Sequence, residues 1–439
     1  MISVADRQIK AQEGRRSVGI ISFSPIYRDA RVLRQIKYLS KHYDLSVIGY
    51  GGDPSGWSGT EHVRWYPIES SATRNQTGTT LKNGTSQPQP LLAMLKSQMR
   101  AKLGAGILGK LKFFMSCFIL ALGRFHATFY ESWYWQRKHH RQAMQYATDS
   151  RCHAFLANDW EALPVAAEAA RRSHGKVIFD AHEYAPLELE NRPFWKLLFR
   201  PVITYFIEKY VPDVHASLTV APAIRERYRR EFGLDATVVL NAPEAEPVTA
   251  PSSNWDQIRL VHHGGAIRDR RLEILIETLA LCERRFHLHL ILVQNDPKYL
   301  AHLKRLANTL APGRVTFHEP VPPSAIVGEV SQYDIGFCVI APTNYNYLVS
   351  LPNKFFDYIM AGLAVFIGPS PSMEELVLQY GIGRVASSFE PRDLAQALNG
   401  LTAEHLSSMK RASRETSKRI NAKIEMEKLV KICDQLFSS

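Results

Sequence analysis

The chain alternates short apolar runs with amphipathic helical stretches, and this alternation restricts it to α/β folds. It opens with the apolar run SVGIISF from Ser17, a loop, the helical stretch RVLRQIKYLSKH and a second apolar run, DLSVIGYG. Neighbouring parallel strands need a crossover connection, which is usually a helix. The opening therefore predicts a βαβ unit of a parallel, doubly wound sheet.

The alternation continues in two series. AFLAND, KVIFDAHE, SLTVAP and TVVLNAPE are predicted strands of a first sheet, with helices over 162–173 and 194–210. A second series runs through IRLVHHGG, LHLILVQ, RVTFHEPV, YDIGFCVI and VFIGPS. The predicted fold class is α/β, with two doubly wound Rossmann-like domains facing a cleft and ligands outside the carboxyl ends of the strands.

Chain length and a proline-rich segment set the predicted domain limits. At 439 residues the chain is too long for one compact core. Three prolines followed by SSN predict a linker over 246–255, between an N-terminal domain over 1–245 and a C-terminal domain over 256–415. In the first domain we expect order to decline after Arg64 and residues 70–90, which are rich in Gly, Thr and Asn, to form a loop.

Charge and cysteine content narrow the possible partners. The formal net charge is +12, which indicates an anionic partner such as a nucleotide, a nucleic acid or an acidic membrane. Nucleic acid is disfavoured because the basic residues cluster with an apolar run and no reading motif is present. The five scattered cysteines predict neither a zinc site nor a disulfide and fit a reducing cytoplasm. No apolar core of a secretory signal occurs at the N-terminus.

The stretch SLPNKFFDYIMAGLAV, residues 350–365, carries the strongest functional pattern. A proline turn leads into a helix whose free N–H groups and positive dipole end favour a phosphate. Lys354 adds a charge, and Asp357 lies one turn further on, where it can accept hydrogen bonds from ribose hydroxyls. The predicted binding residues here are Ser350, Leu351, Asn353, Lys354 and Asp357. The alternative is an ordinary helix start with Asn353 and Lys354 solvated.

A second loop, HHGGAIRDRR over 262–271, follows the first strand of the second series. Gly264 and Gly265 allow the backbone to approach a ligand closely, and Arg268 and Arg271 can contact a diphosphate. We expect Arg268, like Lys354, to reach phosphate from an exposed position. Neither GxxxxGK[ST] nor GxGxxG occurs, and the glycines could simply turn the chain.

Acids and a histidine end two strands of the first series. Asp180, His182 and Glu183 follow KVIF, and Asn158-Asp159-Trp160 ends the preceding strand. His182 could contact a sugar hydroxyl or polarise a leaving group, with Asp180 or Glu183 orienting it. A structural role for the histidine is the alternative. No metal-ligand spacing such as HExxH and no GxSxG elbow appears, so we predict no metal site.

Residues 91–141 combine positive charge with apolarity. Basic residues from Lys96 to Arg124 surround the uncharged run 113–123, and an aromatic stretch follows over 125–135. The run is too short to span a bilayer, which needs about 20 apolar residues. The segment therefore predicts either a helix lying in an anionic membrane surface or an ordinary buried helix of the first domain.

Over most of residues 17–435 the chain resembles GT-B glycosyltransferases of family 4, also called group 1. The resemblance lies in SPIYRDARVLRQ, in NDW…ALPVAAEAARR…KVIFDAHE, in TVVLNAPE, in HHGGAIRDRRLEILIETL, and above all in YDIGFCVI…SLPNKFFDYIMAGLAVF. It implies a nucleoside-diphosphate sugar bound mainly by the second half and a saccharide or lipid-linked saccharide acceptor bound mainly by the first. It also implies a C-terminal helix, 416–439, that packs back on the first domain.

The resemblance implies a metal-independent, retaining transferase. Arg268, Arg271, Lys354 and the helix dipole would stabilise the departing diphosphate while His182 positions the sugar. Family members often carry two glutamates eight positions apart; here Val349 and Asp357 hold those places. Arg270 and Arg271 are adjacent, so the sequence leaves open which arginine contacts the diphosphate. A nucleotide-sugar epimerase and an inactive GT-B subunit that binds a partner at the membrane are the alternatives.

Overall fold

The computed structural model describes residues 15–51, 61–69, 113–245 and 253–438. The predicted loop 70–90, the basic residues from Lys96 to Lys112 and most of the predicted linker lie outside the described residues. The chain divides into two compact units. Unit 1 comprises Met1–Asp29, Tyr43–Val177 and Arg192–Val214, and unit 2 comprises Ala30–His42, Ile178–Asn191 and His215–Ser439.

The strands form two parallel sheets of the same design. The strands of the first sheet are β1 Ser17–Pro25, β2 Asp44–Tyr50, β3 Val63–Ile68, β4 Ala154–Asn158, β5 Lys176–Asp180, β6 Ala216–Thr219 and β7 Thr237–Val238. Those of the second sheet are β8 Ile258–Gly265, β9 Phe286–Val293, β10 Val315–His318, β11 Ile335–Phe337, β12 Ala364–Ile367 and β13 Gly383–Val385.

Helices connect these strands. The first eight are α1 Ala30–Leu39, α2 Thr128–Trp135, α3 Lys138–Ser150, α4 Asp159–Ser173, α5 Pro193–Tyr210, α6 Pro222–Phe232, α7 Glu273–Leu281 and α8 Pro297–Leu310. The remaining seven are α9 Ile326–Val330, α10 Tyr345–Val349, α11 Asn353–Met360, α12 Pro371–Tyr380, α13 Pro391–Asn399, α14 Ala403–Ser417 and α15 Ala422–Ser438. Residues 113–123 are also helical. No helix in the described ranges is long and apolar enough to cross a bilayer.

Strand order confirms the predicted fold class. The first sheet runs β3-β2-β1-β4-β5-β6-β7 and the second β10-β9-β8-β11-β12-β13. In both, the order reverses between the first strand and the fourth, which is the doubly wound arrangement that leaves a crevice at the carboxyl ends. The domain limits inferred from the sequence stay a prediction.

Strand β3 was not expected, because order was predicted to decline after Arg64. It pairs with β2 in parallel from Leu45↔Val63 to Tyr50↔Ile68 and lies at the edge of the first sheet. Its side chains are mostly half-buried and it contains Pro67, which an edge strand tolerates. A half-exposed strand with proline lacks the apolar signature used to recognise the others.

In unit 1, α4 covers the sheet. Its alanine-rich face, ALPVAAEAA, is buried from Ala162 to Ala170, with Glu168 half-exposed. Small side chains allow the helix to lie close to the strands, and the larger rings of Phe155 and Phe206 fill the neighbouring space with no exposed area. The small residues of α4 therefore explain how closely this helix packs on the sheet.

In unit 2, a buried ion pair fixes α1. The Arg31 guanidinium donates from Nε to Asp180 Oδ2 at 2.6 Å and from a terminal nitrogen to Asp180 Oδ1 at 2.7 Å. Gln35 Nε2 donates to the same carboxylate at 2.5 Å. Arg31 also donates to the carbonyl oxygen of Val239 at 3.0 Å. The pair joins α1 to the end of β5 through groups with almost no solvent contact.

The C-terminal helix also lies against α1. Its first residue, Ala422, donates its N–H to the Pro243 carbonyl oxygen at 2.8 Å, and Glu425 Oε2 accepts from the N–H of Leu240 at 2.8 Å. Met426, Leu429 and Cys433 of this helix are buried. Backbone groups just after β7 are therefore hydrogen-bonded to α15.

We expect Asp180→Asn to lower the free energy of unfolding by about 3–5 kcal/mol, because it leaves the Arg31 charge buried without its counterion. Chemical denaturation would measure the loss. Asp235→Asn is the matched control: its ion pair with Arg225 is of similar length, 2.8 Å, but exposed. That change should cost less than about 1 kcal/mol. Equal losses would show that the Arg31–Asp180 pair is not a stabilising anchor.

Candidate active site

A pocket of about 330 Å³ lies in unit 2 at the carboxyl ends of the second sheet. Its lining comprises Ala30 and Arg34 of α1, Pro243, His263, Gly264, Arg270, Ile291, Val293, Pro320, Val321, Pro323, Ile326, Pro352, Asn353, Lys354 and Asp357. Strand β8, one of the two strands between which the strand order reverses, contributes His263 and Gly264 to it. This is the position at which doubly wound sheets bind ligands.

Lys354, on the first turn of α11, is the buried cation of this pocket. Only 5% of its surface is exposed, so the expectation of an exposed Lys354 is wrong. The ring of His262 lies beside it: Nδ1 is 2.8 Å from the Phe337 carbonyl oxygen and Nε2 is 2.9 Å from Lys354 Nζ. A carbonyl only accepts, so Nδ1 carries the proton and Nε2 accepts from the lysine.

Burial changes the protonation of this pair. Loss of solvent, reinforced by the Arg270 charge, lowers the pKa of Lys354 to about 7. Burial, together with the Lys354 charge, also lowers the pKa of His262 far below its ordinary value, so the ring stays neutral. Because an anion in the pocket would stabilise the charged form, its entry would raise the pKa of Lys354 and the lysine would gain a proton.

Arg270 supplies the second charge. Its Nε is buried without a hydrogen-bond partner among the described residues, and no ion pair of its guanidinium occurs there. A β-carbon built on Gly264 would lie 3.3 Å from Lys354 Nζ and 3.7 Å from an Arg270 terminal nitrogen. Gly264 also has a φ of +127°, which other residues rarely adopt. The glycine thus leaves room where two unneutralised cations converge.

The other two arginines of this loop point elsewhere. Arg268 is 57% exposed; its Nε donates to Asp296 at 2.8 Å and its guanidinium lies 4.9 Å from the Tyr299 ring centre. Asp296 also accepts from the Tyr299 N–H and so caps α8. Arg271 is exposed, with a φ of +50°. Neither lines the pocket, whereas Arg270, which the sequence left open, does.

Asp357 and His263 form the polar wall next to Lys354. The Asp357 carboxylate is 9% exposed and its Oδ2 lies 3.3 Å from His263 Nε2. Burial lowers the pKa of His263, an effect that Asp357 partly offsets. Carboxylate oxygens in this position can accept hydrogen bonds from the hydroxyls of a ligand.

The opposite wall is apolar. Ile291 and Val293 end β9, while Val321, Pro323 and Ile326 follow β10. Such a surface suits the flat face of an aromatic or heteroaromatic ring. A ligand with an anionic end and an apolar ring end would match both walls.

Of the remaining predicted binding residues, Asn353 and Gly264 line the pocket, while Gly265, Ser350 and Leu351 do not. Ser350 Oγ donates to the Tyr347 carbonyl oxygen at 3.1 Å, and Leu351 is 3% exposed in the core. These two residues shape the turn before α11. The sequence missed His263, Arg34 and the apolar wall, because contacts between distant segments leave no local pattern.

The predicted catalytic residues lie at the end of β5. Asp180 is fully buried, with both oxygens bonded as described above. His182 is half-buried, and Glu183 is exposed, with its carbonyl oxygen accepting from the Tyr228 hydroxyl at 3.0 Å. None of the three lines the pocket of the second sheet.

Among the described residues, one group of potential metal ligands occurs; it lies in unit 1, where atoms of His139, His140 and Glu161 are within 4.8 Å of one another. His140 Nε2 is 2.9 Å from Glu161 Oε1, and the Arg137 guanidinium is 3.4 Å from the same oxygen. His139 and His140, hydrogen-bonded to Glu161, contribute to lowering the pKa of that carboxyl to about 2 against the effect of burial. A guanidinium on the shared oxygen favours an ion-pair cluster over a cation site.

Several solved structures resemble this chain over nearly its whole length. HepE from Anabaena, in complex with UDP and glucose, matches at 14% identity and a TM-score of 0.63, over 96% of this chain and 100% of HepE. Sucrose-phosphate synthase from Thermosynechococcus elongatus matches at 14% identity and a TM-score of 0.62, over 97% of this chain and 100% of that one. A glycosyltransferase from Rickettsia africae matches at 10% identity and a TM-score of 0.64, over 97% and 99%.

These likenesses, together with the two doubly wound sheets, show that the chain has the GT-B fold. No protein-family model matches it, and no curated protein sequence does. At such low identity the likeness extends to the fold alone.

We expect Arg270→Ala to weaken the binding of a nucleoside-diphosphate sugar by about tenfold to a hundredfold, since a charge-assisted hydrogen bond contributes about 1.5–3 kcal/mol. Calorimetry with UDP-glucose and ADP-glucose as probes would measure it. Arg271→Ala, on the neighbouring exposed side chain, is the control and should leave affinity within about twofold, as expected for a surface change. A larger effect at Arg271 would reverse the assignment.

We also expect affinity for such a probe to fall as pH rises above about 7. The sign follows from Lys354: with its pKa at about 7, the lysine is neutral at higher pH, and an entering diphosphate must bring a proton with it. The diphosphate of a nucleotide sugar keeps a fixed charge here, so the limiting slope approaches about tenfold per pH unit. Lys354→Gln should bind weakly with a flat profile between pH 7 and 9. A flat wild-type profile would contradict the buried, neutral lysine.

Proposed function

We propose that this protein is a GT-B glycosyltransferase of the family 4 kind that moves a sugar from a nucleoside-diphosphate sugar to an acceptor. The observation that carries the proposal is the convergence of Lys354 and Arg270, without a carboxylate partner for either among the described residues, at the start of α11. A buried lysine, a half-buried arginine and a helix N-terminus at a sheet's switch point make a site for a diphosphate.

The pocket walls fit the remaining parts of such a donor. The base would lie on the apolar wall of Ile291, Val293 and Ile326, and the ribose hydroxyls would donate to Asp357. Arg270 and Lys354 would hold the diphosphate. HepE, which shares the fold, is in complex with UDP and glucose, and this supports a uridine or related nucleotide as the donor's leaving group.

The transfer breaks the bond between the anomeric carbon and the diphosphate oxygen and forms one to an acceptor hydroxyl oxygen, which loses its proton. Negative charge grows on the departing diphosphate, where Lys354, Arg270 and the dipole of α11 stabilise it. These groups suit a metal-independent reaction. His182 would position the sugar, with Glu183 nearby, while Asp180 holds α1 in place.

The finer assignments rest on the resemblance. The acceptor we propose is a saccharide or lipid-linked saccharide in polysaccharide biosynthesis, and the configuration at the anomeric carbon is retained. The enzyme would be a hexosyltransferase working in the cytoplasm at the inner membrane face. Val349, buried at 4% exposure, occupies the position of the first family glutamate, so the donor sugar must be contacted by other groups.

The test is a thermal-stability screen of nucleoside-diphosphate sugars followed by a transfer assay on saccharide and lipid-linked acceptors. At a hundred times its dissociation constant, a donor adds about 2.7 kcal/mol to stability. His182→Ala should keep that stabilisation and lose turnover. Product formed without an acceptor would identify an epimerase. Stabilisation by no nucleotide sugar, with no transfer, would overturn the proposal.

A further inference from the structure

We propose that an aromatic surface of unit 1 docks this protein on an anionic lipid bilayer. The aromatic surface is defined here as Phe113, Phe114, Phe118 and Phe125, together with Phe194 and Leu197 of α5. The inference rests on the membrane location in the proposed function and assigns the residues that would make the contact, whereas binding of a donor in unit 2 does not require it. It also extends the sequence pattern of 91–141 to a second, distant helix.

The first part of the surface is more exposed than a buried helix allows. Phe113, Phe114 and Phe118 are 52%, 67% and 62% exposed, and Phe125 is 88% exposed. Phe114 and Phe118 are four residues apart, so they lie on one face of the helical residues 113–123. Towards the end of the same helix, Leu120 has no exposed area and packs in the core. The expectation of an ordinary buried helix is therefore wrong for this face.

Helix α5 supplies the second part. Phe194 and Leu197, three residues apart on its first turns, are 51% and 53% exposed. The Phe194 ring stacks on Phe113 with centroids 5.9 Å apart and an interplanar angle of 30°. This contact joins two segments that are 81 residues apart in the sequence into one apolar surface. Further along α5, Val202 and Phe206 are buried in the core.

The two segments that form the aromatic surface carry only positive charge. Neither 113–130 nor 192–207 contains an aspartate or glutamate, while Arg124, Arg192 and Lys196 are exposed at its margins. The acids next to these segments have partners: Glu131 is ion-paired with Lys209 at 2.7 Å, and Glu190 Oε1 accepts from the Tyr345 N–H at 2.8 Å. Exposed rings with cations at their margins match the headgroup region of an anionic leaflet, where aromatic side chains insert and basic ones bind lipid charge.

Phosphate-bearing lipids suit this combination better than a protein partner does. Protein interfaces are depleted of lysine, whereas each basic residue near an anionic bilayer raises partitioning by about fivefold at modest salt. The rings would enter only as far as the interface, since no helix of the described residues could span the bilayer. Docking would be reversible and sensitive to salt.

The test is co-sedimentation of the full chain with vesicles of phosphatidylcholine alone or mixed with phosphatidylglycerol. We expect binding to the anionic vesicles that decreases with added salt. The triple variant F114E/F118E/F125E should bind at least tenfold less. Leu378→Glu is the matched control, because Leu378 is 69% exposed on α12 and should leave binding unchanged. K196Q/R192Q should reduce binding, against the exposed pair K423Q/K431Q as control.

Nucleotide-sugar stabilisation measured on every variant separates this inference from the proposed function. Retained stabilisation with lost vesicle binding supports a separate docking surface and shows that the variant is folded. The inference is overturned if the wild type does not bind anionic vesicles, or if the triple variant binds them as well as the wild type does. A wild-type dimer that the triple change converts to a monomer also overturns it, since a second copy would then cover the rings.

Discussion

The burial of Lys354 beside Arg270 is the constraint on which the pocket of unit 2 depends. Loss of solvent and the neighbouring Arg270 charge both disfavour a protonated lysine, so the pKa of Lys354 is lowered to about 7. Neutral His262, fixed by the Phe337 carbonyl oxygen, gives the lysine a hydrogen-bond partner without neutralising it. Cationic groups without a counterion are typical of sites where a ligand supplies the opposite charge. A diphosphate would supply negative charge to both Lys354 and Arg270.

The pocket also depends on an interaction outside the second sheet. Arg34 and Ala30 reach it from α1, and α1 is fixed by the buried pair of Arg31 with Asp180. Asp180 belongs to the strand end that carries His182. Asp180, a residue expected to act in catalysis, is thus bonded to the helix that contributes to the pocket lining, and its contacts are those of an anchor. Helix α15 reinforces the same region through Leu240 and Pro243.

The sequence predicted the architecture more fully than the site. Buried parallel strands are continuous apolar runs, so IRLVHHGG was recognised with its full length, while the half-exposed β3 was missed. In the site, Gly264, Asn353, Lys354 and Asp357 were predicted and line the pocket. Arg268 and Arg271 were chosen over Arg270 because all three share one loop and one charge, and only the turn at Arg268–Arg270 decides which side chain faces inward.

The sequence by itself determined the two doubly wound sheets and the loops that end their strands, because strand and helix periodicities are local properties of the chain. The tertiary structure alone decided the burial and lowered pKa of Lys354, the choice of Arg270, and the stacking of Phe113 on Phe194. Each of these depends on how much solvent the packed neighbours remove and on which distant side chains they bring together. Desolvation and contact between residues far apart in sequence have no periodicity, and so they appear only once the chain is folded.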